Sequence, residues 1–393
     1  MTIDYLAEAK DLFPYTQRMR RDFHAHPEIG FQEYRTSGIV ANELRELGIE
    51  ITTGVAETGV IGIIEGNGPG PVLLLRFDMD ALPITEETNA PYQSENPGVM
   101  HACGHDGHTA VGLTVAKLLN RYKDVWKGTV KLVFQPAEEG LGGAKRMVEE
   151  GVLENPRPDY SLAMHVWNDI PVGEIAVTPG PVMAHADLMT IKITGKGAHG
   201  ASPHLGKDPI LAAAQVVNAA QSIVARNVDP METAVVSITS IHGGTTFNVI
   251  PPMVEMQGTI RTFKPEVREI VLRRLREVVN EVAAGMDCTA EIELQDVSPA
   301  VVNDAKLTEL VKSTLTEVLP EAHYLPGLKT MGSEDMAFLM DDVPGCFIFI
   351  GSMNEEKGYY YGHHHPKFDI DEEALLHGVT LITASAMNLL NGG

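Results

Sequence analysis

Over residues 5–47 the apolar positions recur at helical spacing, break at His26-Pro27 and stop at Gly48, a residue suited to closing a helix. The chain is therefore expected to open with helices. The period then shortens. Val60-Ile61-Gly62-Ile63-Ile64 and Pro71-Val72-Leu73-Leu74-Leu75-Arg76-Phe77 are apolar runs bounded by Gly and Pro, which predict strands buried on both faces. Helical spacing returns over 109–122, followed by a strand pattern over 128–134, a helix over 141–150 and a strand over 160–165. Alternating strands and helices predict an α/β sheet with helices on both faces.

After Met183 the order changes. Residues 188–194 alternate as a half-buried strand, 209–225 read as a helix, 234–241 and 253–262 as strands, 266–284 as a long charged amphipathic helix and 289–294 as a strand. That β-α-β-β-α-β order is the split, ferredoxin-like arrangement of a small self-contained domain. Alternation then resumes, with a core strand over 344–351 and a closing helix over 372–390. A chain of 393 residues is too long for one ordinary core. The expected architecture is one α/β domain with a mixed sheet, residues 1–183 and 296–393, interrupted by a smaller α+β domain at 184–295.

Composition narrows the function. Asp and Glu outnumber Lys and Arg by 53 to 30, a formal charge of -23, so the electrostatic footprint for nucleic acid or anionic lipid is missing. The N-terminal stretch has neither a basic nor an apolar leader region, and no later stretch reads as apolar over bilayer length, so the expected location is cytoplasmic with no membrane partner. Three widely spaced cysteines, Cys103, Cys288 and Cys346, make a disulfide framework improbable and leave at least one thiol for chemistry.

The densest candidate chemistry is Met100-His101-Ala102-Cys103-Gly104-His105-Asp106-Gly107-His108. A thiolate and an imidazole two residues apart, with Gly between them, suit a borderline-soft divalent metal such as zinc. The competing reading is a Gly-rich turn capped by histidines, with Cys103 a small buried apolar residue. Upstream, Arg76-Phe77-Asp78-Met79-Asp80 closes a predicted core strand, where α/β sheets place ligands. Asp80 is expected to accept a hydrogen bond from His105 and orient it. Asp78 reads either the same way or as a cap or an ion pair with Arg76. Downstream, Gln135-Pro136-Ala137-Glu138-Glu139-Gly140 follows another strand. Two adjacent carboxylates are costly to bury unless cations compensate, although alone they would also suit a helix N-terminus. Beside the Cys/His cluster, one can bind metal while its neighbour takes a proton from water. His165 at a strand end and His363-His364-His365 in a Gly/Tyr-rich loop add imidazoles.

Taken in order, His24-Ala25-His26-Pro27-Glu28, Asp78-x-Asp80-Ala81-Leu82-Pro83, His101-Ala102-Cys103-Gly104-His105-Asp106, Pro136-Ala137-Glu138-Glu139, Gly195-Lys196-Gly197-Ala198-His199-Gly200 and His364-x-Pro366-x-Phe368-Asp369 span the chain. They resemble the zinc-dependent aminoacylase, carboxypeptidase and hippurate-hydrolase group of metallopeptidases, in its branch of bacterial N-acyl-amino-acid amidohydrolases and plant auxin-conjugate hydrolases. The resemblance implies a catalytic domain with an inserted lid and dimerisation domain. It implies Cys103, His105, Glu139, His165 and His364 as ligands of two divalent metals, and Glu138 as general base and acid. It implies His199 as an oxyanion stabiliser reaching a partner's active site, and Asn248 and Arg261 as grips for the substrate's carboxylate or polar backbone. A turn Asn and a surface strand Arg are the alternatives for those two. More distant members use a His-x-Asp motif and a bridging Asp, where this chain has Asp78-x-Asp80, His105 and the added Cys103. Zinc is the expected metal, with manganese, cobalt or nickel as alternatives.

The expected activity is hydrolysis of the amide joining an acyl group to an amino acid with a free carboxylate, in a homodimer or higher homo-oligomer formed through the lid. Carboxypeptidase or dipeptidase action by the same site is the first alternative. A Cys103 nucleophile with His105 as its base, and a metal-binding dimer without catalysis, are two further readings.

Overall fold

The structure is a computed structural model that describes residues 3–392. The chain divides into two compact units, one formed by Met1–Val182, Val302–Lys329 and Asp335–Gly393, the other by Met183–Val301 and Thr330–Glu334.

The first unit is built on an eight-stranded mixed sheet. Its strand order is Glu50–Val55, Gly59–Glu65, Thr129–Gln135, Val72–Asp78, Tyr160–Pro171, Gly345–Met353, Glu174–Ala176 and His323–Leu325. Thr129–Gln135, Val72–Asp78, Tyr160–Pro171 and Gly345–Met353 are mutually parallel neighbours, and their near-continuous burial explains their unbroken apolar runs. Glu50–Val55, which the sequence reading leaves unassigned, pairs antiparallel at the edge, where solvent covers much of it and the apolar signal fades. Tyr160–Pro171 runs well past the expected end at 165, so His165 lies within the strand.

The helix Tyr5–Ala25 starts at Asp4, whose carboxylate accepts from the Ala7 N–H. The helix Tyr34–Glu46 follows after a non-helical passage over 26–33. The closing helix Glu373–Leu390 is long and apolar enough to cross a bilayer, contrary to the sequence reading. Some 83% of it is buried inside the fold, the environment of a core helix.

The second unit has a four-stranded antiparallel sheet in the order Ala234–Gly243, Met253–Thr262, His185–Thr194 and Thr289–Ser298. The helices Pro209–Arg226 and Pro265–Gly285 bury their Ala/Val/Ile/Leu stripes in the apolar core under that sheet. This is the expected split βαβ order.

One buried cation supports the strand that leads to Glu138. Lys131 is 2% exposed, and its Nζ donates to the carbonyls of Val152, Glu154 and Pro156 at 2.9, 2.6 and 2.7 Å. Burial lowers its pKa to about 8. Lys131→Met leaves three carbonyls without their donor, at a typical cost of about 1–3 kcal/mol per orphaned buried group. Urea unfolding is expected to show the variant less stable by roughly 2–4 kcal/mol; an unchanged midpoint would refute this role.

Candidate metal centre

Two parallel strand ends and the middle of a third strand deliver the site. Asp78 lies opposite Gln135, and Arg76 lies opposite Ala163, so Asp78, the turn after Gln135 and His165 come to one level of the sheet. The helix His105–Arg121 begins earlier than the apolar period over 109–122 predicts, because its first turn carries polar residues bonded to those strand ends. Gly104 makes that start possible. Its φ is 89°, and a Cβ there would meet Val166 Cγ2 at 2.3 Å.

The imidazoles are sorted by their second nitrogens. His105 Nδ1 donates to the Asp80 carbonyl at 2.9 Å and lies 3.3 Å from the Asp80 carboxylate, which leaves Nε2 as the free nitrogen. That Nε2 is buried and makes no hydrogen bond; the nearest carboxylate oxygen, on Asp78, is 3.7 Å away. His165 Nδ1 donates to the Val166 carbonyl, so its Nε2 faces Cys103 Sγ at 3.5 Å. His108 is fully engaged: Nδ1 donates to Asp78 at 2.6 Å and Nε2 accepts from the Val166 N–H at 3.0 Å. His363 Nε2 accepts from the Asn168 N–H at 3.2 Å, so its Nδ1 carries the proton and points at Cys103 Sγ, 3.8 Å away. His364, with φ 64°, places Nε2 3.2 Å from Glu139 Oε1. That carboxylate oxygen is buried and makes no hydrogen bond.

Asp78 takes its ion-pair reading: Arg76 holds it at 2.6 Å, and His108 donates a hydrogen bond to it. Asp80 braces the site from behind, accepting the Glu139 N–H at 3.0 Å while it faces His105.

Donor atoms of Cys103, His105 and His165 lie within 4.8 Å of one another, as do those of Cys103, Glu139 and His364 and those of His105, Glu138 and Glu139. Burial and the nearby Glu139 carboxylate push the Cys103 thiol well above its usual range. Burial tends to lower His105, but Asp78 and Cys103 hold it well above the usual imidazole value. His165 is driven far below that value by burial and neighbouring imidazoles. The pocket thus has soft and hard donors, two buried atoms without hydrogen-bond partners, and carboxylates that discourage a thiolate unless a cation joins them. That donor set fits a borderline divalent metal.

Sequence reasoning missed the charged cluster that holds the first turn of this helix. Arg20, fully buried, donates to Asp106 at 2.8 Å and to Asp369 at 2.6 Å. His24, one turn later, bridges Asp106 at 2.7 Å and Glu86 at 3.2 Å. The His24-x-x-x-Glu28 motif was legible; its partners, 82 and 62 residues away, were not.

In the second unit, the two-stranded pairing of Ala198–His199 with Val249–Ile250 brings His199 and Asn248 together, and the Gly200 N–H donates to the Asn248 carbonyl at 2.7 Å. Both side chains are exposed. The Ala201 N–H donates to His199 Nδ1 at 3.0 Å, leaving Nε2 to carry the proton. Arg261 is apart from them, near the far end of the strand Met253–Thr262, where its guanidinium donates to the Thr259 hydroxyl and the Ile260 carbonyl.

Residues 74–388 match the family described as peptidase family M20/M25/M40. The N-acetylcysteine deacetylase of Bacillus subtilis is 43% identical over 364 residues, covering 91% of this chain and 92% of that protein. Thermostable carboxypeptidase 2 of Saccharolobus solfataricus is 40% identical over 388 residues, 98% of each chain. The solved YXEP protein of Bacillus subtilis, described as a dinuclear metal binding peptidase, superposes with a TM-score of 0.85 at 38% identity, covering 97% of this chain and 99% of its own.

The His24 bridge makes a pH prediction. Burial alone would lower its pKa, but Asp106 and the hydrogen bonds to Asp106 and Glu86 raise it from 6.5 to about 9. A raised histidine stabilises fully below about pH 6.5, and that contribution is lost as pH rises through about 9. Urea unfolding across this window is expected to show the native chain losing on the order of 3 kcal/mol from this group. The same slope in His24→Gln would contradict the assignment.

Proposed function

We propose that this chain, which belongs to peptidase family M20/M25/M40, is a dinuclear metal hydrolase that cleaves the amide bond of N-acyl amino acids. The observation that carries the reading is the sharing of donors. Cys103 Sγ belongs both to the group with His105 and His165 and to the group with Glu139 and His364, so the donors present would suffice for two neighbouring ions. The names of the deacetylase and of the dinuclear peptidase support the substrate class and the two-metal reading. Thiolate with imidazole favours zinc; manganese, cobalt and nickel tolerate the same donors.

A divalent pair, when bound, polarises the scissile carbonyl and lowers the pKa of a water. Cys103, His105, Glu139, His165 and His364 would hold it. Asp80 keeps the His105 proton on Nδ1 and so leaves Nε2 for coordination. Glu138, whose carboxylate lies within 4.8 Å of both a His105 nitrogen and a Glu139 oxygen, takes a proton from the attacking water. The water oxygen becomes bonded to the acyl carbon. As the C–N bond breaks, Glu138 returns the proton to the leaving amine.

His199, with its Nε2 proton free to donate, is assigned to the developing oxyanion, and Asn248 and Arg261 to the substrate's polar end. Within one chain Arg261 and the His199–Asn248 pair cannot serve one small substrate. Met253 to Arg261 is eight residues of extended strand, roughly 25 Å at about 3.3 Å each. Two copies that each lend one end of the lid resolve this, which supports a homodimer. The carboxypeptidase relative favours a second reading, short-peptide cleavage by the same groups.

Purified protein is expected to contain divalent metal and to release amino acid from N-acetyl and N-benzoyl amino acids until a chelator is added. Silence on every amide and dipeptide would end the reading. Glu138→Gln should keep its metal and lose about 10²- to 10⁴-fold in kcat; near-native turnover would remove Glu138 from the mechanism. Mixing inactive His199→Ala with inactive Glu138→Gln should restore activity in the mixed dimer, and no recovery would argue that each chain uses its own His199.

A further inference from the structure

Glu33 is fully buried, yet it does not cap the helix Tyr34–Glu46 that it precedes. That task falls to Glu28, whose two carboxylate oxygens accept from the Arg35 and Thr36 N–H groups, both at 2.9 Å. Glu33 instead reaches across 104 positions of sequence. One of its oxygens accepts from the Ala137 N–H at 2.9 Å, and the other accepts from the Thr58 hydroxyl.

Ala137 is the residue immediately before Glu138. It has a φ of 55°, a left-handed conformation that an alanine does not adopt without support. Both of its backbone groups are fixed: the N–H by Glu33, and the carbonyl by the Gly143 N–H at 3.0 Å. The chain around Glu33 is fitted to the same turn. A Cβ at Gly30 would lie 2.9 Å from Ala137 Cα, so only glycine allows this approach. At the other end of the segment, Ile29 bridges Ala81 in parallel and the Glu28 carbonyl accepts the Ala81 N–H at 2.8 Å. Residues 28–33 therefore lie against the backbone next to Asp80 and the backbone next to Glu138, and Asp80 in turn accepts the Glu139 N–H.

We propose that Glu33 is a positioning residue: by holding the Ala137 N–H it fixes the left-handed turn that aims Glu138 and Glu139, and with Gly30 and Ile29 it sets the spacing between that turn and Asp80. Its two carboxylate oxygens are taken by the Ala137 N–H and the Thr58 hydroxyl, which assigns it to positioning and not to ligation. The kinetic side of this inference rests on the amidohydrolase reading; the metal-binding side does not.

The test compares the full-length native chain with Glu33→Ala and Glu33→Gln. Zinc affinity is measured on metal-free protein by competition with a chromogenic chelator, and kcat and KM on an N-acetyl amino acid. The amide of Glu33→Gln can still accept the Ala137 N–H and donate to the Thr58 oxygen, so it should stay within about three-fold of native in both readouts. Glu33→Ala should lose about 10- to 100-fold in zinc affinity and a similar factor in kcat, with KM little changed. If Glu33→Ala does not fold, Glu33→Asp, too short to reach Ala137, carries the test with the same expectation. A folded variant that lacks the acceptor and keeps native zinc affinity and native kcat, whatever its melting temperature, overturns the proposal. If the native chain cleaves no N-acyl amino acid, the amidohydrolase reading fails, and the zinc titration still decides the role of Glu33.

Discussion

Negative and electron-rich groups are crowded at the end of a parallel sheet, and the rest of the first unit answers to that crowding. Cys103, Glu138, Glu139 and the free nitrogens of His105 and His165 converge in a partly buried pocket, with the two histidines buried and the other three half-buried. Mutual repulsion and desolvation oppose such an assembly unless positive charge joins it. The thiol held above its usual range and the two buried atoms that make no hydrogen bond, His105 Nε2 and Glu139 Oε1, register the same demand. Arg76 on Asp78, and Arg20 with His24 on Asp106, neutralise the neighbouring acids and leave the central donors uncommitted.

Much of this was legible before any coordinates. Apolar runs located the four parallel strands, because strands buried on both faces cannot hide their composition, and the shift of period marked the ferredoxin-like insertion. The candidate ligands stood out because cysteine, histidine and paired glutamates rarely cluster without a chemical reason. The edge strand Glu50–Val55 was missed because half-exposed positions carry little pattern. The helix start at His105 was missed because a polar first turn has no apolar period, and only the fit of Gly104 against Val166 reveals it.

Which histidine does what lay beyond sequence for a different reason. His105, His108, His165 and His363 are chemically alike, and each is sorted by the group on its other nitrogen. A backbone carbonyl leaves His105 Nε2 free, whereas a carboxylate and an N–H occupy both nitrogens of His108. These partners are set by tertiary contact, as are the Glu33–Ala137 bond and the clamp on Asp106. Residues that only orient others have no composition of their own to give them away.

The strand Gly345–Met353 sits inside the sheet, between Tyr160–Pro171 and Glu174–Ala176, although the whole second unit separates it from them in sequence. Until it inserts, the sheet has an open seam beside His165. The second unit is contiguous but for a short return, whereas the first needs a long-range closure of the kind that folds slowly and leaves strand edges open to aggregation. The grouping of Cys103, Glu139 and His364 therefore depends on closure between sequence segments that lie on either side of the second unit.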